Sequence, residues 1–137
     1  MIDTPAPGEA LADAFDRAAR HYDLLVALSP GYHAQLRGSA RRLVAALPPA
    51  RGDGTEGEGE VVLDLGCGTG ASTRAVVDAL AAARRLDVAV AGVDASAGMI
   101  AQAEEKPWPD AVTFTCSDAV ADLRGRETGS VSGVFAA

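Results

Sequence analysis

The sequence predicts an α/β fold with a parallel sheet. Three observations carry that expectation. Short, nearly continuous apolar runs stand at Val61–Leu65, Val88–Val93, Val112–Cys116 and Val131–Phe135, as in strands buried on both faces. Helical patterns separate them, and strands alternating with helices imply βαβ units with right-handed crossovers. The first run ends in a glycine-rich turn, Gly66-Cys67-Gly68-Thr69-Gly70, which leads straight into a helix.

Each element follows from local chemistry. Residues 1–8 are Pro-rich and are expected to be a disordered tail. From Glu9, apolar residues recur at helical spacing (Leu11, Phe15, Ala18, Tyr22, Leu25) until Ser29-Pro30-Gly31 stops the pattern. A second helix presents Tyr32, Leu36, Ala40, Leu43 and Leu47 on one face and ends at Pro48-Pro49. Together residues 9–49 read as an N-terminal helical cap. The stretch 50–60, with four glycines and four acidic residues, reads as a flexible acidic linker. Beyond the glycine turn, residues 71–83 form a helix with Val76, Ala79, Leu80 and Ala83 inward. Ser96 caps a helix running to about Glu105, with Pro107 and Pro109 beyond it. Residues 119–123 make a short helical turn before the fourth strand.

Composition bounds function. The chain has 137 residues, 48% hydrophobic and 23% charged, ordinary for one globular domain. A formal net charge of −7 argues against a nucleic-acid or anionic-membrane surface, since both attract basic patches; the run Arg37, Arg41, Arg42 reads as a solvated helix face. The opening residues lack the basic and apolar regions of a signal peptide, and no apolar run approaches the ~20 residues that span a bilayer. The two cysteines, Cys67 and Cys116, show no metal-ligand spacing, and they read as reduced thiols in a cytoplasmic protein. His21 and His33 read as surface residues, and Trp108, between two prolines, as a loop anchor.

The glycine turn carries the chemistry. Residues without Cβ let the backbone turn sharply and let a ligand lie on it, at the carboxyl end of a strand where open α/β sheets bind ligands. A P-loop requires Gly-Lys-Ser/Thr, and Ala71-Ser72 follows here. A dinucleotide site prefers G-x-G-x-x-G, whereas the spacing here is G-x-G-x-G with Asp64 two residues ahead. An acidic residue there opposes a pyrophosphate and suits a cationic ligand with an amine and a sulfonium.

Asp64-Leu65-Gly66-Cys67-Gly68-Thr69-Gly70 resembles the first motif of the class I S-adenosylmethionine-dependent methyltransferases. The resemblance implies a Rossmann-like parallel sheet in the order 3-2-1-4, preceded by the two cap helices. It implies that Asp64, Gly66, Cys67, Gly68 and Gly70 hold the methionine part of the cofactor, with Asp64 orienting its amino group, often through water. Asp94, closing the second strand 24 residues after Gly70, takes the ribose hydroxyls, with Ala95 beside it. Met99 packs on adenine, and Asp118 and Ala119, after the third strand, reach its amino group and a ring nitrogen. The stretch Phe15-Asp16-Arg17-Ala18-Ala19-Arg20-His21-Tyr22-Asp23 resembles the opening helix of small-molecule methyltransferases of the ubiquinone and menaquinone biosynthesis type, which makes Tyr22 a residue that closes over the cofactor.

Family members usually have seven strands, so residues 61–137 correspond to the N-terminal half of such a domain, and no catalytic base can be named. A truncated gene product, a protein split over two chains, or a deliberately shortened chain fits equally. A second chain or self-association is expected to cover the fourth-strand edge, where Val131, Val134 and Phe135 would be exposed. The functional expectation is methyl transfer from S-adenosylmethionine to a small-molecule acceptor. The alternatives are an inactive cofactor-binding fragment and an NAD(P)-dependent oxidoreductase.

Overall fold

The computed structural model describes residues 7–50 and 59–137, apart from the side chains of Pro7, Glu9, Ala12, Phe15 and Arg20. Most of the expected tail and linker thus lies outside the described residues, as does the side chain of Phe15. The described elements are α1 (Pro7–Ala27), α2 (Pro30–Ala46), β1 (Val61–Leu65), α3 (Ala71–Ala82), β2 (Ala89–Asp94), α4 (Ala97–Glu104), β3 (Val112–Cys116), α5 (Ala119–Gly125) and β4 (Gly133–Ala136).

The four strands form one all-parallel sheet in the order β3-β2-β1-β4, as expected. For this strand order the right-handed rule for parallel crossovers puts α3 and α4 on one face and α5, on the return from β3 to β4, on the other. The core lies on the α3 face. There Val62, Val90 and Phe135 meet Val76, Ala79 and Leu80 of α3, with Leu36, Ala40, Val44 and Leu47 of the α2 segment closing the cluster. The second helical pattern therefore reads correctly, and it docks on α3 as a third layer.

The first pattern does not. Leu11 is 59% exposed and Leu25 65% exposed, and Ala18 is exposed too. Of that pattern Tyr22 alone among the described side chains turns inward, and it does so beside Asp16, Ala19, Asp23 and Val26. The cause is that α1 meets its neighbours through carboxylates: Asp16 accepts from the Gly98 amide at 2.7 Å and from the Ser96 hydroxyl. Asp23 accepts from the Thr69 hydroxyl and, at 3.2 Å, from Lys106. A pattern of apolar spacing cannot register a helix seated on polar contacts.

Smaller corrections have local causes. The first helix stops ahead of Ser29-Pro30-Gly31 as expected, and Pro30 and Gly31 themselves open α2, at first-turn positions where the missing proline N–H costs nothing. Ala83 caps α3 and is exposed. In β4, which begins at Gly133, Val131 takes no part; of the three residues expected at an exposed edge, Phe135 is buried in the core and Val134 is 48% exposed. Cys67 is buried and Cys116 exposed, and both are free thiols. Trp108 anchors its loop by donating from Nε1 to the Ala103 carbonyl at 2.7 Å, with its ring edge-on to Phe114 at 5.1 Å and Arg74 stacked at 4.0 Å.

Close packing around that aromatic pair dictates a glycine in β2. A Cβ on Gly92 would stand 2.6 Å from Phe114 Cδ1 and 3.1 Å from Cys67 Sγ. Gly92→Ala is therefore expected to destabilise the fold by about 1–3 kcal/mol, the usual cost of overpacking. The midpoint of urea unfolding measures it, and an unchanged midpoint would show that the ring relaxes freely.

Candidate cofactor site

The end of β2 builds the site. The Val93 carbonyl accepts from the amides of Gly66 (2.8 Å) and Cys67 (3.1 Å), and Asp94 Oδ2 accepts from the Gly68 amide at 2.8 Å. Asp94 Oδ1 takes the Ser96 amide at 2.9 Å. The glycine turn is thus strapped to the neighbouring strand, 26 residues away in sequence. Gly66, Gly68 and Gly70 hold φ of +71°, +54° and +99°, a region that side chains with a Cβ rarely adopt.

A cavity of about 410 Å³ opens at the carboxyl ends of β1, β2 and β3. Of the residues singled out in the sequence, Gly66, Gly68, Asp94 and Ala95 line its floor. Met99, 3% exposed, and Asp118 and Ala119 line it from α4 and from the start of α5. Tyr22 reaches it from α1, its ring 3.9 Å from the place a Gly68 Cβ would occupy. A Cβ on Gly66 would meet nothing within 4 Å, so the bare backbone of the turn faces open space. Ser96, Ser117 and Leu11 also line the cavity and were not anticipated. Ser96 and Ser117 each adjoin a motif residue, and that adjacency was the available signal.

Three singled-out residues are not on the lining. Cys67 is buried against β2, where burial pushes its thiol pKa up. Gly70 backs onto Trp108, whose Cζ2 would be 2.8 Å from a Cβ there. Asp64 lies beneath the turn, fully buried, its Oδ2 accepting from the hydroxyls of Ser72 (2.7 Å) and Thr73 (2.6 Å) in the first turn of α3. Its Oδ1 has no partner among the described residues. Asp118 has a second task, since its Oδ1 caps α5 through the amides of Val120 and Ala121, both at 3.0 Å.

A bare-backbone cradle, a carboxylate fixed at its rim and a methionine side chain beyond it fit a nucleoside bearing a cationic tail. The comparisons with known proteins agree. The model of a family described as "Methyltransferase domain" matches residues 62–137. The chain belongs to this family, whose cofactor is S-adenosylmethionine. No curated protein matches the chain.

Among solved structures, it is similar to the sugar N-methyltransferase KedS8 of Streptoalloteichus, at 26% identity and a TM-score of 0.52, over 85% of this chain and 39% of that one. DesVI of Streptomyces venezuelae is 23% identical with a TM-score of 0.54, over 85% of this chain and 41% of that one. The magnesium protoporphyrin IX methyltransferase of Synechocystis, with bound S-adenosylmethionine, is 20% identical with a TM-score of 0.56, over 86% and 57%. The last two likenesses bear on fold alone. The chain spans between 39% and 57% of the length of these structures.

Burial raises the Asp64 pKa to about 6; the Thr73 and Ser72 hydroxyls oppose the shift and the Asp94 charge adds to it. An acid whose pKa is higher in the folded than in the unfolded chain binds its proton better when folded. Its contribution to stability is full below the unfolded value of 3.8 and is lost as pH rises to about 6. Asp64→Asn, which never ionises, is therefore expected to gain on the wild type by up to about 3 kcal/mol between pH 4 and pH 7. Urea denaturation of both proteins across that range checks it. A stability difference independent of pH would contradict the burial account.

Proposed function

We propose that this chain binds S-adenosylmethionine in the cavity at the strand ends and serves transfer of its methyl group to a small-molecule acceptor. The observation that carries the reading is the Asp94 carboxylate, fixed by two backbone amides at the rim of a cradle of two bare glycines.

Each Asp94 oxygen spends one lone pair on an amide and keeps another for a ribose hydroxyl, the pairing a strand-end carboxylate makes in nucleotide sites. Gly66 and Gly68 leave room for the methionine part to lie on the backbone, and Tyr22 covers it from α1. Met99 offers an apolar, polarisable surface to adenine. Asp118 keeps Oδ2 for the adenine amino group, with the Ala119 amide next to it. Asp64 acts from beneath the turn: its unpartnered Oδ1 is the acceptor a bridging water would use toward the ammonium group. Cys67 and Gly70 shape the turn without lining the cavity.

The bound cofactor supplies an electrophilic methyl carbon on a sulfonium. For the protein, transfer to a held nucleophile is chiefly a matter of alignment. A small-molecule acceptor is favoured by the likeness to a sugar N-methyltransferase at 26% identity and by the net charge of −7, which does not suit a polyanion. Among the described residues no helix is long and apolar enough to cross a membrane.

Calorimetric titration with S-adenosylhomocysteine and NAD side by side tests the reading. Binding of the first and not the second is expected, and the reverse would restore the oxidoreductase alternative. Transfer of a labelled methyl group to amine and hydroxyl acceptors then separates an enzyme from a module that only binds. Asp94→Ala is expected to weaken S-adenosylhomocysteine by about 1.5–3 kcal/mol, as for charge-assisted hydrogen bonds. Gly68→Val should abolish binding while retaining helical circular dichroism, because a branched side chain fits neither the backbone angle nor the cradle. Unaltered affinity in either folded variant would remove that residue from the site.

A further inference from the structure

We infer that Asp16 on α1 is a positioning residue that acts through Ser96 on the Asp94 carboxylate, so that docking of α1 and recognition of a ribose diol are one coupled event. The inference rests on the proposed function, in which Asp94 holds the ribose.

A hydrogen-bond chain joins α1 to the glycine turn. Asp16 Oδ1 accepts from the Ser96 hydroxyl and from the Gly98 amide at 2.7 Å. The Ser96 amide donates to Asp94 Oδ1 at 2.9 Å, and Asp94 Oδ2 receives the Gly68 amide at 2.8 Å. Three segments distant in sequence, α1, the glycine turn and the stretch 94–98, thereby share one network. Asp16 also completes the start of α4, where Ser96 Oγ accepts from Met99 at 3.1 Å while its own proton goes to Asp16.

Ser96 is 2% exposed, so that proton has no access to bulk water. If Asp16 is removed, the hydroxyl becomes a buried donor in need of an acceptor, and leaving it unmade is costly. The other carboxylate in this network is Asp94, whose Oδ1 already holds the Ser96 amide at 2.9 Å. A hydroxyl turned onto that oxygen takes the lone pair that a ribose hydroxyl would use. Asp16 thus keeps Asp94 available.

Steric evidence shows how closely α1 is fitted to this place. A Cβ on Gly98 would stand 2.9 Å from the Asp16 Cα and 3.1 Å from its carbonyl oxygen. α1 can lie across the start of α4 only because residue 98 is glycine. Seven residues on, two helical turns along the same face, Asp23 binds the Thr69 hydroxyl and Lys106, so α1 is clasped at two points. Among the described side chains between them only Ala19 is buried, and Leu24 and Leu25 are more than half exposed. A helix held by few polar contacts docks with a modest free energy, and such an equilibrium is readily biased by a ligand. By linkage, whatever docked α1 adds to ribose binding, bound ribose adds to docking.

The experiment compares S-adenosylhomocysteine with its 2′,3′-dideoxy analogue by calorimetry, in the wild type and in Asp16→Ala, Asp16→Asn and Asp23→Ala. Wild type is expected to prefer the diol. Asp16→Ala is expected to weaken S-adenosylhomocysteine about tenfold more than it weakens the analogue, the order of one lost hydrogen bond to a charged group. Asp16→Asn keeps an acceptor oxygen and should recover most of the loss. Asp23→Ala, which frees the other clasp of α1 and leaves Asp16 on Ser96 and Gly98, should weaken both ligands alike. Equal weakening of both ligands by Asp16→Ala, or no weakening of either, overturns the inference while leaving the cofactor site intact. A wild type that fails to bind S-adenosylhomocysteine, or that binds both ligands equally, overturns the proposed role of Asp94 and this inference with it.

Discussion

The structure depends on one junction, where the carboxyl end of β2 takes hold of the turn that follows β1. The Val93 carbonyl and the Asp94 carboxylate receive the amides of Gly66, Cys67 and Gly68, three consecutive donors that no helix or strand of their own satisfies. A turn with three left-handed glycines has wide conformational freedom in the unfolded chain, so a fixed shape requires external anchors. Asp94 supplies one of those anchors and, in the proposed function, also contacts the ligand. The residue that shapes the cradle therefore fills its rim, and site and fold share a free energy.

Below the turn a second carboxylate sets the direction of α3. Asp64 ends no hydrogen-bond ladder; it receives the hydroxyls of Ser72 and Thr73 in the interior, where an unpaired charge would be costly. Two hydroxyls do not fully offset burial, as its pKa of about 6 records. Strain of this kind fits a site made to meet a positive group, since a nearby cation would ease the burden that burial imposes. The Cys67 thiol is pushed up chiefly by burial, and the charges of Asp64 and Asp94 add to it.

Much of this was legible in the sequence, and the exceptions share a cause. Apolar runs announce the strands, and the bounds of β1 and β3 match residue for residue, although only β1 is buried on both faces; β3 lies at the sheet edge and is half exposed. Eight of the eleven residues singled out line one cavity because strand ends in a parallel sheet converge there. Asp64, Cys67 and Gly70 stand in the same motif and miss the lining. A tight turn sends successive residues to opposite sides, and contiguity in sequence does not say which side a residue takes. The Gly70 position answers to Trp108, 38 residues on, and Gly92 to Phe114; these demands arise only once the sheet is assembled.

α1 is the sharper case, because most of its apolar pattern does not point inward. Leu11, Ala18 and Leu25 are exposed, while its inner face carries Asp16 and Asp23 beside Tyr22. Apolar burial is non-directional and tolerates sliding, whereas a carboxylate bound to one amide and one hydroxyl fixes register. For a helix that must place Tyr22 over Gly68, register matters more than depth of burial. Asp16 and Asp23, seven residues apart, set it at both ends, and Gly98 admits the helix at the required distance. The sparse apolar contact beneath α1 follows from that choice: a seat held by two polar clasps can be precise and still release.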